Sequence, residues 1–177
     1  MHPLLAALLI LLCMVAAIWD WRLRIIPNWI TVPVAAAGLA AQVWLGGTAG
    51  LQQAAAGMGV AFLITVPLFV LRALGGGDVK LMAASGVLLG PSQFGVLFIV
   101  NAIAGGVIAI VYALAKGRLG GTLRNVGTIL QSIGRGQAPV DAKPELDIAH
   151  PEALTMPRGT IYAVCALILW ASGQFRV

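Results

Sequence analysis

Long apolar runs alternate with short polar, proline or glycine-rich connections along most of the chain. A transmembrane helix takes about 20 residues, and the runs predict about six of them. Their approximate bounds are 4–19, 29–45, 54–71, 78–90, 94–115 and 159–172. Helix-breaking residues separate several of these runs, among them Pro27 and the pair Gly90-Pro91. The pattern predicts an all-α membrane protein, a bundle of about six transmembrane helices in a single domain spanning 1–177.

The stretch 116–156 departs from this pattern, because it is rich in charged residues. Its first half carries apolar residues at spacings of 4, 3, 4 and 3, which is one face of a helix. These are Leu119, Leu123, Val126, Leu130 and Ile133. We expect an amphipathic cytoplasmic helix on a bilayer surface with anionic headgroups, or a helix packed under the bundle. From Gly136 to Pro157 we expect a loop.

Composition supports a membrane assignment and charge gives an orientation. The chain is 60% hydrophobic and 10% charged, with a mean hydropathy of +0.96, which excludes an ordinary soluble domain. The net charge is +5, which we interpret through topology rather than nucleic-acid binding. In a six-span topology all but one of the 11 basic residues fall on one side, with Arg176 alone on the other. That side is predicted to be cytoplasmic and both termini periplasmic.

Small residues at four-residue spacing predict close contacts between helices. The pairs are Gly86/Gly90, Ala55/Gly59 and Ala102/Gly106. Asn101 is expected to make an interhelical hydrogen bond. Cys13 and Cys165 lie in apolar runs without a CxxC pair, so both are predicted to be buried, and no zinc site is expected.

Asp78 follows three glycines at the start of an apolar run. An ionisable group at the edge of a membrane span is a candidate for function. The alternative is that Asp78 is only the N-cap of the helix that follows. The glycines are expected to permit positive φ and to leave room beside the carboxylate for a peptide or another side chain.

Asp20 is predicted to lie at the same cytoplasmic depth as Asp78. If the two carboxylates meet, like charge and partial burial favour a shared proton. One can then act as general base on a water while the other hydrogen-bonds the substrate carbonyl, which is aspartic-protease chemistry and needs no metal or cofactor. The alternative for Asp20 is a juxtamembrane charge paired with Arg22 or Arg24. The only histidines, His2 and His150, support neither a triad nor a zinc site.

Three segments together resemble a known family, the prepilin peptidases, membrane aspartic proteases of the GxGD class. Gly75-Gly76-Gly77-Asp78 with Lys80 matches the pattern GxGDxK. The segment 20–28, an aspartate followed by basic residues and Ile-Pro-Asn, resembles the first-aspartate segment of the family. Met156-Pro157-Arg158-Gly159 resembles the Pro-x-Gly that opens the last span, although Arg158 stands where an aromatic residue is common.

The resemblance implies that Asp20 and Asp78 are the catalytic aspartates. It implies cleavage of a prepilin or pilin-like precursor, between a short basic leader and a hydrophobic helix, at the cytoplasmic face of the bacterial inner membrane. The size is similar to that of the short peptidases of tight-adherence (Flp-type) pili, without N-methyltransferase activity. Five further motif residues are candidates for substrate binding or site shaping: Gly75, Gly77, Lys80, Pro27 and Asn28.

Two non-enzymatic alternatives remain at the level of sequence. A proton-coupled carrier would place ionisable groups near the membrane midplane, often in repeated halves, whereas both aspartates here are predicted at one edge. A structural subunit of a membrane complex would use Asp78 as a cap and Asp20 as a surface charge. Cleavage of a candidate precursor, with and without each aspartate, separates these alternatives from the peptidase.

Overall fold

The fold is that of a computed structural model, which describes residues 1–71, 73–117, 120–121, 127–128, 131–132 and 158–175. Four helices account for the main elements of these residues. They are α1 (Pro3–Leu23), α2 (Asn28–Val70), α3 (Gly76–Ala115) and α4 (Arg158–Ala171). By length and composition α1, α2 and α3 could each cross a membrane, whereas α4 is a shorter apolar helix. The fold is all-helical in the described part of the chain and fits a membrane protein, as predicted.

The long helix α2 is a hairpin. Its 43 residues would extend about 65 Å if straight, about twice the hydrocarbon core of a bilayer. Gly47 leaves the helical conformation, with φ 57° and ψ −133°. A Cβ added to Gly50 would lie 1.8 Å from the carbonyl oxygen of Gln42, whereas eight residues along a straight helix are about 12 Å apart. The chain therefore reverses at Gly47 into two arms, 28–46 and 48–70.

The helix α3 reverses in the same way at Gly90, where φ is 73° and ψ is 175°. Its arms are 76–89 and 91–115, and Pro91 opens the second arm, where a missing N–H costs little. Asp78 in the first arm and Ala109 in the second line one cavity. Two hairpins, α1 and α4 give six helical segments among the described residues. That each segment crosses a bilayer stays a prediction.

The connection between α1 and α2 is short and broken as predicted. Arg24 caps α1 in the left-handed conformation with φ 55°, and its N–H donates to the Asp20 carbonyl. Pro27 is the N-cap of α2, and its carbonyl accepts hydrogen bonds from the N–H groups of Ile30 and Thr31. This break places Asp20 one turn before the end of α1, beside the start of α2.

Backbone contact between α2 and α3 forms the tightest packing in the bundle. A Cβ added to Gly57 would lie 2.0 Å from the Gly86 carbonyl oxygen and 2.8 Å from the Cα of Gly90. The predicted close contact at Gly86/Gly90 is therefore confirmed. An added Cβ at Gly59 or Gly106 would meet nothing within 4 Å, so the prediction of close contact is wrong at those two glycines.

Other predictions have separate outcomes. Cys13 and Cys165 are both buried, as expected. Large apolar side chains such as Leu63 and Ile103 point outward, as lipid-facing positions require. The predicted amphipathic helix and loop of 116–156 lie outside the described residues, apart from the few positions between 116 and 132 given above.

Candidate functional site

Asp20 is held by the first turn of α4. Its carboxylate is only 7% exposed, and its Oδ2 accepts hydrogen bonds from the N–H of Thr160 at 3.0 Å and from the Thr160 hydroxyl at 3.4 Å. The N–H groups of a first helical turn are free to bind an anion, and the helix dipole favours negative charge there. The described hydrogen bonds of the Asp20 side chain therefore run to Thr160.

Gly159 allows α4 to approach Asp20 this closely. A Cβ on Gly159 would lie 3.2 Å from both Cβ and Cγ of Asp20, and 3.0 Å from Cδ1 of Ile26. Each distance is tighter than ordinary side-chain packing, and the neighbours on both sides are buried. The glycine thus suits this close contact, since a Cβ here would require Asp20 or Ile26 to shift by a few tenths of an ångström.

Asp78 lies in the first turn of α3, at the third helical position rather than at the N-cap. Gly75 is the N-cap, and its N–H donates to Asp78 Oδ2 at 3.2 Å. The expectation that Asp78 itself caps the helix is therefore wrong by three residues. The carboxylate reaches back to the cap, as the third residue of a capping box does.

The three glycines before Asp78 do not adopt positive φ. The glycines with positive φ in the described residues are Gly47, Gly90, Gly117 and Gly173, so that expectation is wrong. The glycines were also expected to leave room for another residue, and Gly77 does so. A Cβ added to Gly77 would lie 3.1 Å from the Cβ of Ile26 and 3.5 Å from its backbone N and O. The lack of a side chain lets the α1–α2 connection pass close to the start of α3.

Asp20 lies close enough to Asp78 for its charge to act on the Asp78 carboxyl group. The charged side chains that act on Asp78 are Arg158, in the first turn of α4, and Asp20. Arg158 also donates a hydrogen bond from Nη1 to the carbonyl of Ala73, just before α3. The first turn of α4 therefore contacts Asp20 through Thr160 and lies beside Asp78 through Arg158. In both aspartates Oδ2 accepts the described hydrogen bonds, which leaves Oδ1 free of them.

A hydrogen bond joins two of the remaining predicted residues. Lys80 Nζ donates to Asn28 Oδ1 at 2.8 Å, linking the second turn of α3 to the first residue of α2. Pro27 precedes Asn28 as the N-cap of α2. The contact joins the start of α2 to the helix that carries Asp78. That Lys80, Asn28 and Pro27 shape the site stays a prediction.

A cavity of about 310 Å³ lies beside Asp78, between the two arms of α3 and the start of α4. Asp78, Arg158, Asn101, Gly105, Gly106 and Tyr162 are among the residues that line it. Sequence analysis assigned no role in the site to Asn101 or Tyr162, because each lies inside an apolar run far from the aspartates along the chain. The Pro-x-Gly segment that opens α4 is a signal close to Tyr162 alone.

A second cavity, of about 460 Å³, lies at the opposite end of the bundle. Its lining includes Gly46, at the reversal of α2, and Gln93, just after the reversal of α3. Of these two cavities, Asp78 lines the smaller one.

Comparisons with known proteins agree with this geometry. The model of the type IV leader peptidase family matches residues 7–110, a range that contains both aspartates, all of α2 and most of α1 and α3. Neither the curated proteins nor the solved structures include a significant match to the chain. Because the family model matches more than half of the chain, the protein belongs to the type IV leader peptidase family.

Proposed function

We propose that this peptidase is an aspartic endopeptidase that removes the short basic leader of a prepilin or pilin-like precursor at the cytoplasmic face of the bacterial inner membrane. The observation that carries the proposal is the first turn of α4, which lies against both aspartates. Thr160 binds Asp20, and Arg158 lies in the charge environment of Asp78. The contact of this turn with Asp20 and its charge beside Asp78 support a shared site for the two carboxylates.

The chemistry uses the two carboxylates in complementary states. One aspartate, ionised, takes a proton from a water, and that water attacks the carbonyl carbon of the scissile peptide bond. The other aspartate, protonated, hydrogen-bonds the carbonyl oxygen and stabilises the charge that develops there. Collapse of the tetrahedral intermediate returns a proton to the leaving amine. Each Oδ1 is free of described hydrogen bonds, which suits an exchange of protons with water and substrate.

The substrate and orientation are part of the same proposal. A leader peptidase in a bilayer needs its site at the edge where the leader meets the hydrophobic helix. Asp20 lies near the end of α1 and Asp78 near the start of α3, and such positions are at the edge of a bundle. The excess of basic residues on this side favours the cytoplasm, with both termini periplasmic. The bilayer and the precursor are the partners that this assignment implies.

Cleavage by the purified protein tests the activity. The full chain in lipid nanodiscs is incubated with a prepilin, and mass spectrometry locates the cut. We expect one cut between the basic leader and the hydrophobic helix, with activity retained in the presence of metal chelators. The absence of cleavage across a panel of such precursors would overturn the assignment of substrate.

Reporter fusions test the orientation separately. A reporter fused after Gly136 should behave as cytoplasmic and one fused at Val177 as periplasmic, because basic residues are retained on the cytoplasmic side. A periplasmic reporter at Gly136 would contradict the location of the site at the cytoplasmic face.

A further inference from the structure

Two adjacent glycines in α3 have no packing role in the bundle. Gly105 and Gly106 lie inside the second arm of α3, where a glycine costs about 1 kcal/mol relative to alanine. At Gly57 and Gly86, by contrast, the missing side chain permits close backbone contact. A Cβ added at Gly105 or Gly106 would meet nothing within 4 Å. Close approach of another helix therefore does not explain them.

Both glycines line the cavity that contains Asp78. Ala102, one turn earlier and also in the lining, is exposed, as is Gly106, so the cavity opens on the outer surface of the bundle. Leu81 and Met82, which are buried, form part of the opposite wall. The missing side chains thus keep an open, mainly apolar space that leads from the bundle surface to Asp78.

Tyr162 forms a buried part of the cavity wall. It lines the same cavity and is only 1% exposed. Its hydroxyl lies near Ser85, but the Ser85 hydroxyl donates to the Leu81 carbonyl. Within the described part of the chain the Tyr162 hydroxyl has no hydrogen bond of normal geometry. Ser85 is fully buried and is not in the lining of the cavity, so the hydroxyl lies toward the interior of the bundle.

We infer that this cavity is the specificity subsite for one substrate residue adjoining the scissile bond, and that Gly105 and Gly106 make room for a large, mainly apolar side chain. The inference rests on the proposed peptidase function. A side chain in this cavity would hold the neighbouring peptide bond next to Asp78. Filling the cavity from the enzyme side should therefore exclude large substrate side chains and still accept small ones.

The test uses Gly105→Leu in the full chain, in nanodiscs. Two series of precursors carry alanine, leucine or phenylalanine at the residue before or after the scissile bond. We expect the unmodified enzyme to prefer a large side chain at one of these positions. In Gly105→Leu, kcat/KM for the large side chain should fall about tenfold or more while that for alanine is retained, because such pockets discriminate by about 10–200-fold per methylene group.

The matched control is Gly95→Leu, on the same arm of α3. An added Cβ at Gly95 also meets nothing within 4 Å, and Gly95 is not in the lining of this cavity. We expect its size preference to equal that of the unmodified enzyme. Should Gly105→Leu fail to accumulate, Gly106→Leu at an exposed position decides the question by the same two series.

The possible results separate this inference from the proposed function. If the unmodified enzyme cleaves no precursor, the peptidase assignment fails and the subsite falls with it. If it cleaves them but Gly105→Leu and Gly106→Leu keep its size preference, the subsite alone is overturned. An equal loss for large and small side chains in a folded variant also overturns it, because it shows an effect on catalysis without selection by size.

Discussion

The two ends of the bundle differ in chemistry more than in shape. The end where α2 and α3 reverse has the larger cavity, about 460 Å³, lined by the amides of Gln42, Gln53 and Gln93. The other end has about 310 Å³ and contains a carboxylate and a guanidinium, Asp78 and Arg158. Cavity volume alone would select the reversing end, whose cavity has no carboxylate among the lining residues that the structure describes. Groups that can exchange a proton or stabilise a charge locate the site.

Polar groups at the reversing end are committed to structure. Gln42 Nε2 donates to the carbonyls of Val87 and Leu88 at 3.3 and 3.2 Å, which ties α2 to α3. His2 Nδ1 accepts from the N–H of Leu4 at 3.2 Å and so caps α1. At the aspartate end each carboxylate keeps one oxygen free of described hydrogen bonds. The comparison indicates that these polar groups at one end stabilise the bundle, whereas the other end carries the candidate catalytic groups.

The largest expected effect is at the aspartates. Asp20→Asn and Asp78→Asn should each lower kcat by about a thousandfold or more, as loss of a catalytic carboxylate does. Asparagine keeps one oxygen that can accept from Thr160 or Gly75, so both variants should accumulate and unfold at nearly the temperature of the unmodified protein. Cleavage assays and thermal unfolding in nanodiscs measure the two effects. Near-normal turnover of either variant would show that its carboxylate is not needed for cleavage. The contrast between the two ends of the bundle would then fail.

Gly159→Ala should have the next largest effect. The added Cβ conflicts with Asp20 and Ile26 at 3.0–3.2 Å, which moves α4 relative to the carboxylate, and misplacement by about 1 Å can cost about a hundredfold in rate. We expect kcat to fall tenfold or more with little change in KM. Gly95→Ala is the control, since its Cβ meets nothing within 4 Å. Equal activity of the two alanine variants would show that α4 does not position Asp20.

The smallest effect is expected at the opposite end. Gln42→Leu removes both hydrogen bonds to α3 and should lower the free energy of unfolding by about 1 kcal/mol. Activity measured well below the unfolding temperature should be unchanged, because this side chain is far from the aspartates. A tenfold loss of kcat without loss of stability would mean that the reversing end takes part in the reaction.

Local sequence signals predicted most of the helices and their breaks. Pro27 marks the break before α2, and Gly47 and Gly90 mark the two reversals, because proline and glycine restrict or release the backbone locally. The cap of α3 was misplaced because three consecutive glycines give no local signal for which of them begins the helix. Composition was likewise sufficient to predict a membrane protein.

Contacts distant along the chain could not be predicted in the same way. Thr160 and Gly159 lie about 140 residues after Asp20, so their contact depends on how α4 packs against α1. The spacing of Ala102 and Gly106 is the same as that of Gly86 and Gly90, yet only the second pair packs against another helix. The spacing predicts that small residues share one face of a helix. Whether another helix or a cavity lies against that face depends on the rest of the fold.

The central claim is that Asp20 and Asp78 act as one catalytic unit, and a double-variant cycle tests it most directly. Single-turnover cleavage of one prepilin is measured for Asp20→Asn, Asp78→Asn and the two combined. Residues that act as a unit are strongly non-additive, so the combined variant should be no slower than the slower single variant. Losses that multiply, to about a millionfold from two losses of about a thousandfold each, would show independent contributions and contradict a shared site.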